Sequence, residues 1–281
     1  MSIEIIKFII YSLLIVVIAK YALVKILRKL AESINFSARV VGNIAGLATS
    51  VPELLTVSFS AMAGLIGTSI YNIISSNIIN LVQYIISIFT SKNQKELNNR
   101  AIKIDLLLVI FTIIIPFFML AINIQAEVEI VPLLILLLML FYYINNNTHK
   151  LYLKKQTKEM EEETAKESKW IKGKLKVIFR YSFLLVIASV SLYIAGNALS
   201  VTLENLAKIF NLPEIFLGIL LGFITSIPEL ITFYESQRHH KNQKNNQFGV
   251  IEATNNLLTS NLLNLFVIQS IGVLIYTAIF K

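Results

Sequence analysis

Glu53 and Glu229 stand in otherwise apolar stretches, each directly after a proline and within four residues of a threonine and a serine. A carboxylate at the centre of a bilayer costs about 3 kcal/mol or more, so an acid retained there is read as functional. Two such acids brought together repel unless they are protonated or neutralised by a cation. Pro52 and Pro228 lack a backbone N–H and clash with the carbonyl four residues earlier, which predicts kinked or broken helices where Ala48 and Ile224 carry their carbonyls. The first stretch adds the hydroxyls of Thr49 and Ser50 to the Glu53 carboxylate, and the second adds those of Thr225 and Ser226 to Glu229. Each is a half-cage of hard oxygen donors. Asn80 and Asn264 supply amide carbonyls, and Ser76 and Ser260 lie one turn before them, so each pair shares a helix face. Carboxylates, amides, hydroxyls and backbone carbonyls suit Ca²⁺, which accepts six to eight oxygens in irregular geometry, better than Mg²⁺, which holds its water tightly.

The same residues recur at fixed offsets. Gly42, Gly46, Thr49, Ser50, Pro52 and Glu53 match Gly218, Gly222, Thr225, Ser226, Pro228 and Glu229 at an offset of 176. Asn72, Ser76, Asn77 and Asn80 match Asn256, Ser260, Asn261 and Asn264 at an offset of 184. The polar loop around Arg238 to Gln247 absorbs the difference, where insertion is cheap.

The elements that carry these residues must be membrane helices. The 281 residues are 56% apolar and 15% charged, with a mean hydropathy of +0.69; soluble domains are nearer 45–50% and 25%. Apolar runs of 18 or more residues recur at 4–24, 38–61, 64–89, 104–125, 129–146, 176–200, 212–235 and 250–280. Each is long enough to cross a hydrocarbon core and too continuous for a barrel strand. The net charge of +8 falls in short blocks between these runs, a pattern of topology determinants rather than of nucleic-acid binding. Of 25 basic residues, 22 lie in alternate loops, which predicts an N-terminus outside and those loops in the cytoplasm. The first copy of the motif then runs outward and the second inward. Inverted repeats with helix breakers at matching positions point to a substrate site near the midplane, as in many secondary transporters.

The expected organisation is an N-terminal membrane half, 1–148, a charged cytoplasmic connector, 149–175, and a C-terminal half, 176–281. With no cysteine and three histidines in polar stretches, His149, His239 and His240, thiolate, zinc and haem sites lack ligands. No cofactor is expected, and no nucleotide-binding Gly-rich loop with Lys is present to support ATP-driven pumping or enzymatic chemistry. Asp105, Glu235 and Glu252 are read as surface anchors near helix ends. Asn77 and Asn261 are read as packing residues, as small and polar side chains in membrane helices often are.

The paired segments Thr49-Ser50-Val51-Pro52-Glu53 with Ser76-Asn77-Ile78-Ile79-Asn80, and Thr225-Ser226-Ile227-Pro228-Glu229 with Ser260-Asn261-Leu262-Leu263-Asn264, resemble the two alpha-repeats of the cation/Ca²⁺ exchanger superfamily, which includes the sodium/calcium exchangers. The resemblance covers about 38–89 and 212–270. It implies Glu53 and Glu229 as principal Ca²⁺ ligands and Thr49, Ser50, Thr225 and Ser226 around flanking Na⁺ sites. It further implies backbone carbonyls from Gly46 and Gly222 and hydroxyls from Ser76 and Ser260. The chain departs from many sodium/calcium exchangers by carrying Asn264 where they have Asp. It also has eight spans against a common ten or more, so the expectation is a compact variant, a truncated chain, or a chain completed by a homo-oligomer or partner helices.

The expectation is an all-α polytopic membrane protein, an inverted-repeat transporter with about eight transmembrane helices and breaks at the two repeats, in the cell membrane. It would exchange Ca²⁺ for Na⁺ by alternating access. The alternatives are a cation/H⁺ antiporter, with one glutamate carrying the proton, and a non-transporting Ca²⁺-binding membrane subunit.

Overall fold

The computed structural model describes residues 2–26, 29, 38–153, 174–242 and 246–281, and every regular element among them is helical. Helix α1, Ser2–Ile18, continues as a π segment, Ala19–Val24. The first repeat follows as α2, Ala38–Thr49, α3, Val51–Met62, and α4, Ile66–Thr90. Helices α5, Arg100–Ala121, and α6, Ile130–Leu153, complete the N-terminal half. The C-terminal half begins with α7, Lys174–Phe210, and repeats the pattern with α8, Glu214–Thr225, α9, Ile227–Asn242, and α10, Asn246–Leu262. A π segment, Leu263–Ile268, joins α10 to α11, Gln269–Phe280.

Seven of these helices, counting α2 with α3, α8 with α9 and α10 with α11 as single broken or bent rods, are long and apolar enough to cross a membrane among the described residues. The first expected span, 4–24, corresponds to α1 and its π continuation. Most of the connector expected at 149–175, including the run Glu161 to Glu163, lies outside the described residues. Helix α7 runs ten residues past the expected end at 200. Leu192, Ala195, Leu199, Leu203 and Leu206 form one buried stripe at helical spacing. Glu204 and Lys208, which end the apolar run in the sequence, pair with each other at 2.5 Å on the exposed side.

The two repeats interlock. Helix α2 packs along α10 and α8 packs along α4, so each repeat's first half-helix lies on the other repeat's third helix. Glycines make these crossings close: a Cβ on Gly42 would meet the Glu252 carbonyl oxygen at 2.3 Å, and one on Gly218 the Thr68 carbonyl oxygen at 2.8 Å. Small residues at membrane-helix contacts permit this approach, since lipid supplies no hydrophobic drive between helices. Helices α1 and α7 pack on each other beside this core. Their interface is mainly apolar, built from Ile15, Leu23, Ala188, Leu192 and Leu199 and continuing onto Leu217 and Leu221 of α8, with Asn205 Nδ2 donating to Glu4 at 3.4 Å.

The distribution of polarity is the reverse of a water-soluble fold. Large apolar side chains such as Phe179, Tyr142, Met139 and Phe118 are more than 60% exposed, as befits contact with lipid chains. The deepest part of the molecule is polar: Thr49, Ser50, Glu53, Ser76, Asn77, Asn80 and their counterparts Thr225, Ser226, Glu229, Ser260, Asn261 and Asn264 are all buried.

Candidate functional site

The helix breaks fall at Ser50 and Ser226, two residues before each proline. Both serines have nearly the same backbone, φ −81° and ψ −2° for Ser50 and φ −80° and ψ −3° for Ser226. A new helix starts at Val51 and another at Ile227, which puts each proline in a first turn, where its missing N–H costs nothing. Each glutamate becomes the third residue of a helix. There the unpaired backbone N–H groups and the positive end of the helix dipole favour a carboxylate. Breaking the helix therefore supplies, at membrane depth, part of the electrostatic support that Glu53 and Glu229 need.

The two carboxylates are fully buried, and the contact of Ser50 with Ser260 at 3.0 Å joins the two repeats beside them. Neither Glu53 oxygen has a hydrogen-bond partner, and Glu229 Oε2 has none. Glu229 Oε1 accepts from Ser260 Oγ at 3.1 Å. Ser260 Oγ in turn lies 3.0 Å from Ser50 Oγ and accepts from Asn80 Nδ2 at 3.4 Å, so residues of both repeats converge on one carboxylate. On the other side Ser76 Oγ donates to Asn72 Oδ1 at 3.2 Å and lies 3.5 Å from Thr225 Oγ1 and 3.5 Å from the Gly222 carbonyl oxygen. Thr49 Oγ1 reaches Asn256 Oδ1 and the Gly46 carbonyl, both at 3.4 Å, and Ser50 Oγ donates to that same carbonyl at 2.8 Å.

All twelve residues singled out in the sequence thus sit in one polar core. Glycine at 46 and 222 serves the packing as well: a Cβ there would meet the carbonyl oxygens of Asn256 at 2.7 Å and of Asn72 at 2.9 Å. Six buried oxygens of the core have no protein donor: both of Glu53, Glu229 Oε2, Asn80 Oδ1, Asn264 Oδ1 and Ser226 Oγ. Buried polar atoms are normally paired, and each exception calls for a reason. Apart from one unpartnered nitrogen, Asn256 Nδ2, the set is made of oxygens and includes two carboxylates, which matches a hard cation in charge and donor type. No third acid or histidine joins the two glutamates among the described residues.

Two acids differ from their sequence reading. Asp105 is buried and accepts from Asn145 Nδ2 at 2.8 Å, while Asn145 Oδ1 accepts from Arg39 at 2.6 Å. Glu252 is also buried, held by Ser236 at 2.6 Å and His240 at 2.9 Å. Both are interior acids with their own polar partners rather than surface anchors. Position along the chain could not show this, because helix ends here tuck under neighbouring helices. Asn77 and Asn261 do pack α4 against α10, but they also hydrogen-bond to the site residues Asn264 and Asn80. Their occurrence in both repeats was the available signal.

A family model described as "Sodium/calcium exchanger protein" matches residues 5–146 and 181–281. Among solved structures, the sodium-calcium exchanger NCX_Mj soaked with 100 mM Na⁺ and 10 mM Sr²⁺ is similar at a TM-score of 0.56 and 22% identity, over 96% of this chain and 82% of that one. The same exchanger soaked with 10 mM Na⁺ and zero Ca²⁺ gives a TM-score of 0.56 and 21% identity, over 98% and 84%. At these identities the likeness is one of fold. No curated protein matches the sequence.

Proposed function

The chain belongs to the sodium/calcium exchanger protein family, and from that premise we propose that it is a secondary antiporter exchanging Ca²⁺ for Na⁺ at the polar core between its repeats. The observation that carries this reading is the buried set of donorless oxygens around Glu53 and Glu229. A divalent cation neutralises both carboxylates and replaces its water with the Asn80 and Asn264 amides, the serine and threonine hydroxyls and the carbonyls of Gly46 and Gly222. Na⁺, also hard and oxygen-seeking, takes overlapping atoms with Thr49, Ser50, Thr225 and Ser226. Competition for shared oxygens couples the two fluxes as long as an unneutralised pair of buried acids does not reorient, since uncompensated charge at that depth is costly.

By resemblance to the family, alternating access falls to the first and sixth spans, α1 and α7, which pack as a pair beside the core. Their apolar contact with α8 through Leu217 and Leu221 imposes no directional bonds and so suits sliding. In the cell membrane the N-terminus lies outside and the basic loops, with the connector after α6, lie in the cytoplasm, as the alternation of lysine and arginine directs. The test is ⁴⁵Ca²⁺ uptake into liposomes containing the purified chain. An outward Na⁺ gradient should drive uptake, and a pH gradient in Na⁺-free medium should not. Uptake driven by the pH gradient alone would assign the proton as counter-ion, and binding without counterflow would make the chain a non-transporting subunit.

A further inference from the structure

Four asparagines join α4 to α10 and the π segment that follows it in a closed pattern. Asn77 Nδ2 donates to the backbone carbonyl of Asn261 at 3.3 Å, and Asn261 Nδ2 donates to that of Asn77 at 3.1 Å. The pair is reciprocal, as residues flanking a pseudo-twofold axis must be. Each of their side-chain oxygens then accepts from the other repeat: Asn264 Nδ2 donates to Asn77 Oδ1 at 3.1 Å, and Asn80 Nδ2 to Asn261 Oδ1 at 3.2 Å. An amide pinned by its nitrogen has only its oxygen left to offer. Those two oxygens, Asn80 Oδ1 and Asn264 Oδ1, are buried and without a donor.

A third helix locks the pattern. Helix α5 contains Pro116, which has no N–H for the carbonyl of Thr112 four residues earlier. That carbonyl accepts instead from Asn77 Nδ2 at 3.3 Å. The Thr112 hydroxyl donates to the Val109 carbonyl at 2.6 Å and accepts from Asn261 Nδ2 at 3.4 Å. The proline therefore frees the acceptor that fixes which way the Asn77 amide faces.

We propose that Asn77, Asn261 and Thr112, the last released by Pro116, are positioning residues that make Asn80 and Asn264 present oxygen rather than nitrogen to the cation. The assignment rests on the polar core being the cation site. An amide N–H₂ turned to a cation exchanges attraction for repulsion, so orientation is worth as much as the presence of the side chain.

The test is equilibrium ⁴⁵Ca²⁺ binding to the full chain in detergent, with thermal unfolding measured alongside. Pro116→Ala restores an N–H that competes for the Thr112 carbonyl. It should weaken Ca²⁺ binding about fivefold, the equivalent of one hydrogen bond, with an unchanged or higher unfolding temperature, because a proline has left a helix interior. Asn77→Ser, which removes the acceptor of Asn264, should weaken binding by a similar factor. In an Asn264→Asp background, where either side-chain atom is an oxygen, both changes should shift affinity less than about twofold. Unaltered affinity in both variants, or the same loss in the Asn264→Asp background, would overturn the proposal. Failure of the unmodified chain to bind Ca²⁺ would count instead against the cation site itself.

Discussion

The Ser260 hydroxyl donates to Glu229 Oε1 at 3.1 Å, whereas at the equivalent place in the other repeat Ser76 makes no bond to Glu53, both of whose oxygens lack a partner. The two halves of the site are related by sequence but not equal in chemistry. Ser260 also accepts from Asn80 and lies 3.0 Å from the Ser50 hydroxyl, so it is the junction through which the first repeat reaches the second repeat's carboxylate.

This inequality predicts an unequal response to the same substitution. Ser260→Ala should raise the Ca²⁺ concentration for half-maximal binding about fivefold, by removing one charge-assisted hydrogen bond that orients Glu229. Ser76→Ala should change it about twofold or less. Calcium titration of the two purified variants decides the matter, and equal losses would contradict the asymmetry.

Close helix crossing predicts a stability defect remote from the cation. Gly42→Ala would place a methyl 2.3 Å from the Glu252 carbonyl oxygen, a backbone atom that cannot swing aside. The expected cost is about 1–3 kcal/mol, typical of overpacking, seen as a lower unfolding temperature and reduced folded yield. Gly196→Ala is the control, because its new methyl would meet Leu55 Cβ at 3.2 Å, and it should lose much less.

The interior acids outside the polar core should be dispensable for binding. Asp105→Asn keeps an oxygen for Asn145 Nδ2, and Glu252→Gln keeps one for Ser236. Both variants should bind Ca²⁺ within about twofold of the unmodified chain, a reading checked in the same titration.

The absence of cysteine from the sequence makes the proposed orientation directly testable. A single cysteine at Glu129, exposed between α5 and α6, should react with a membrane-impermeant maleimide in intact cells. One at Lys95, exposed between α4 and α5, should react only after permeabilisation. The opposite result would invert the topology.

Much of the fold was legible because a membrane span announces itself by length and apolarity, and because duplication writes each broken helix twice. The breaks themselves were displaced from expectation: the prolines mark them, but the chain turns at Ser50 and Ser226, since a proline is better placed in a first turn than at the kink. The end of α7 was hidden by Glu204 and Lys208, charges that interrupt an apolar run without interrupting a helix. Asp105 and Glu252 looked peripheral because linear position does not report which neighbouring helix covers a side chain. The orienting role of Asn77 depends on Pro116 in a helix outside either repeat, and no pattern within the repeats could disclose a partner 39 positions away in the chain.

The central claim is that Glu53 and Glu229 together hold the transported ion. Its most direct test is Na⁺-gradient-driven ⁴⁵Ca²⁺ uptake by Glu53→Gln and Glu229→Gln in liposomes, with insertion verified for each. Uptake should vanish in both variants, because an amide in place of either carboxylate leaves the divalent ion half neutralised. Undiminished uptake in both would contradict the account.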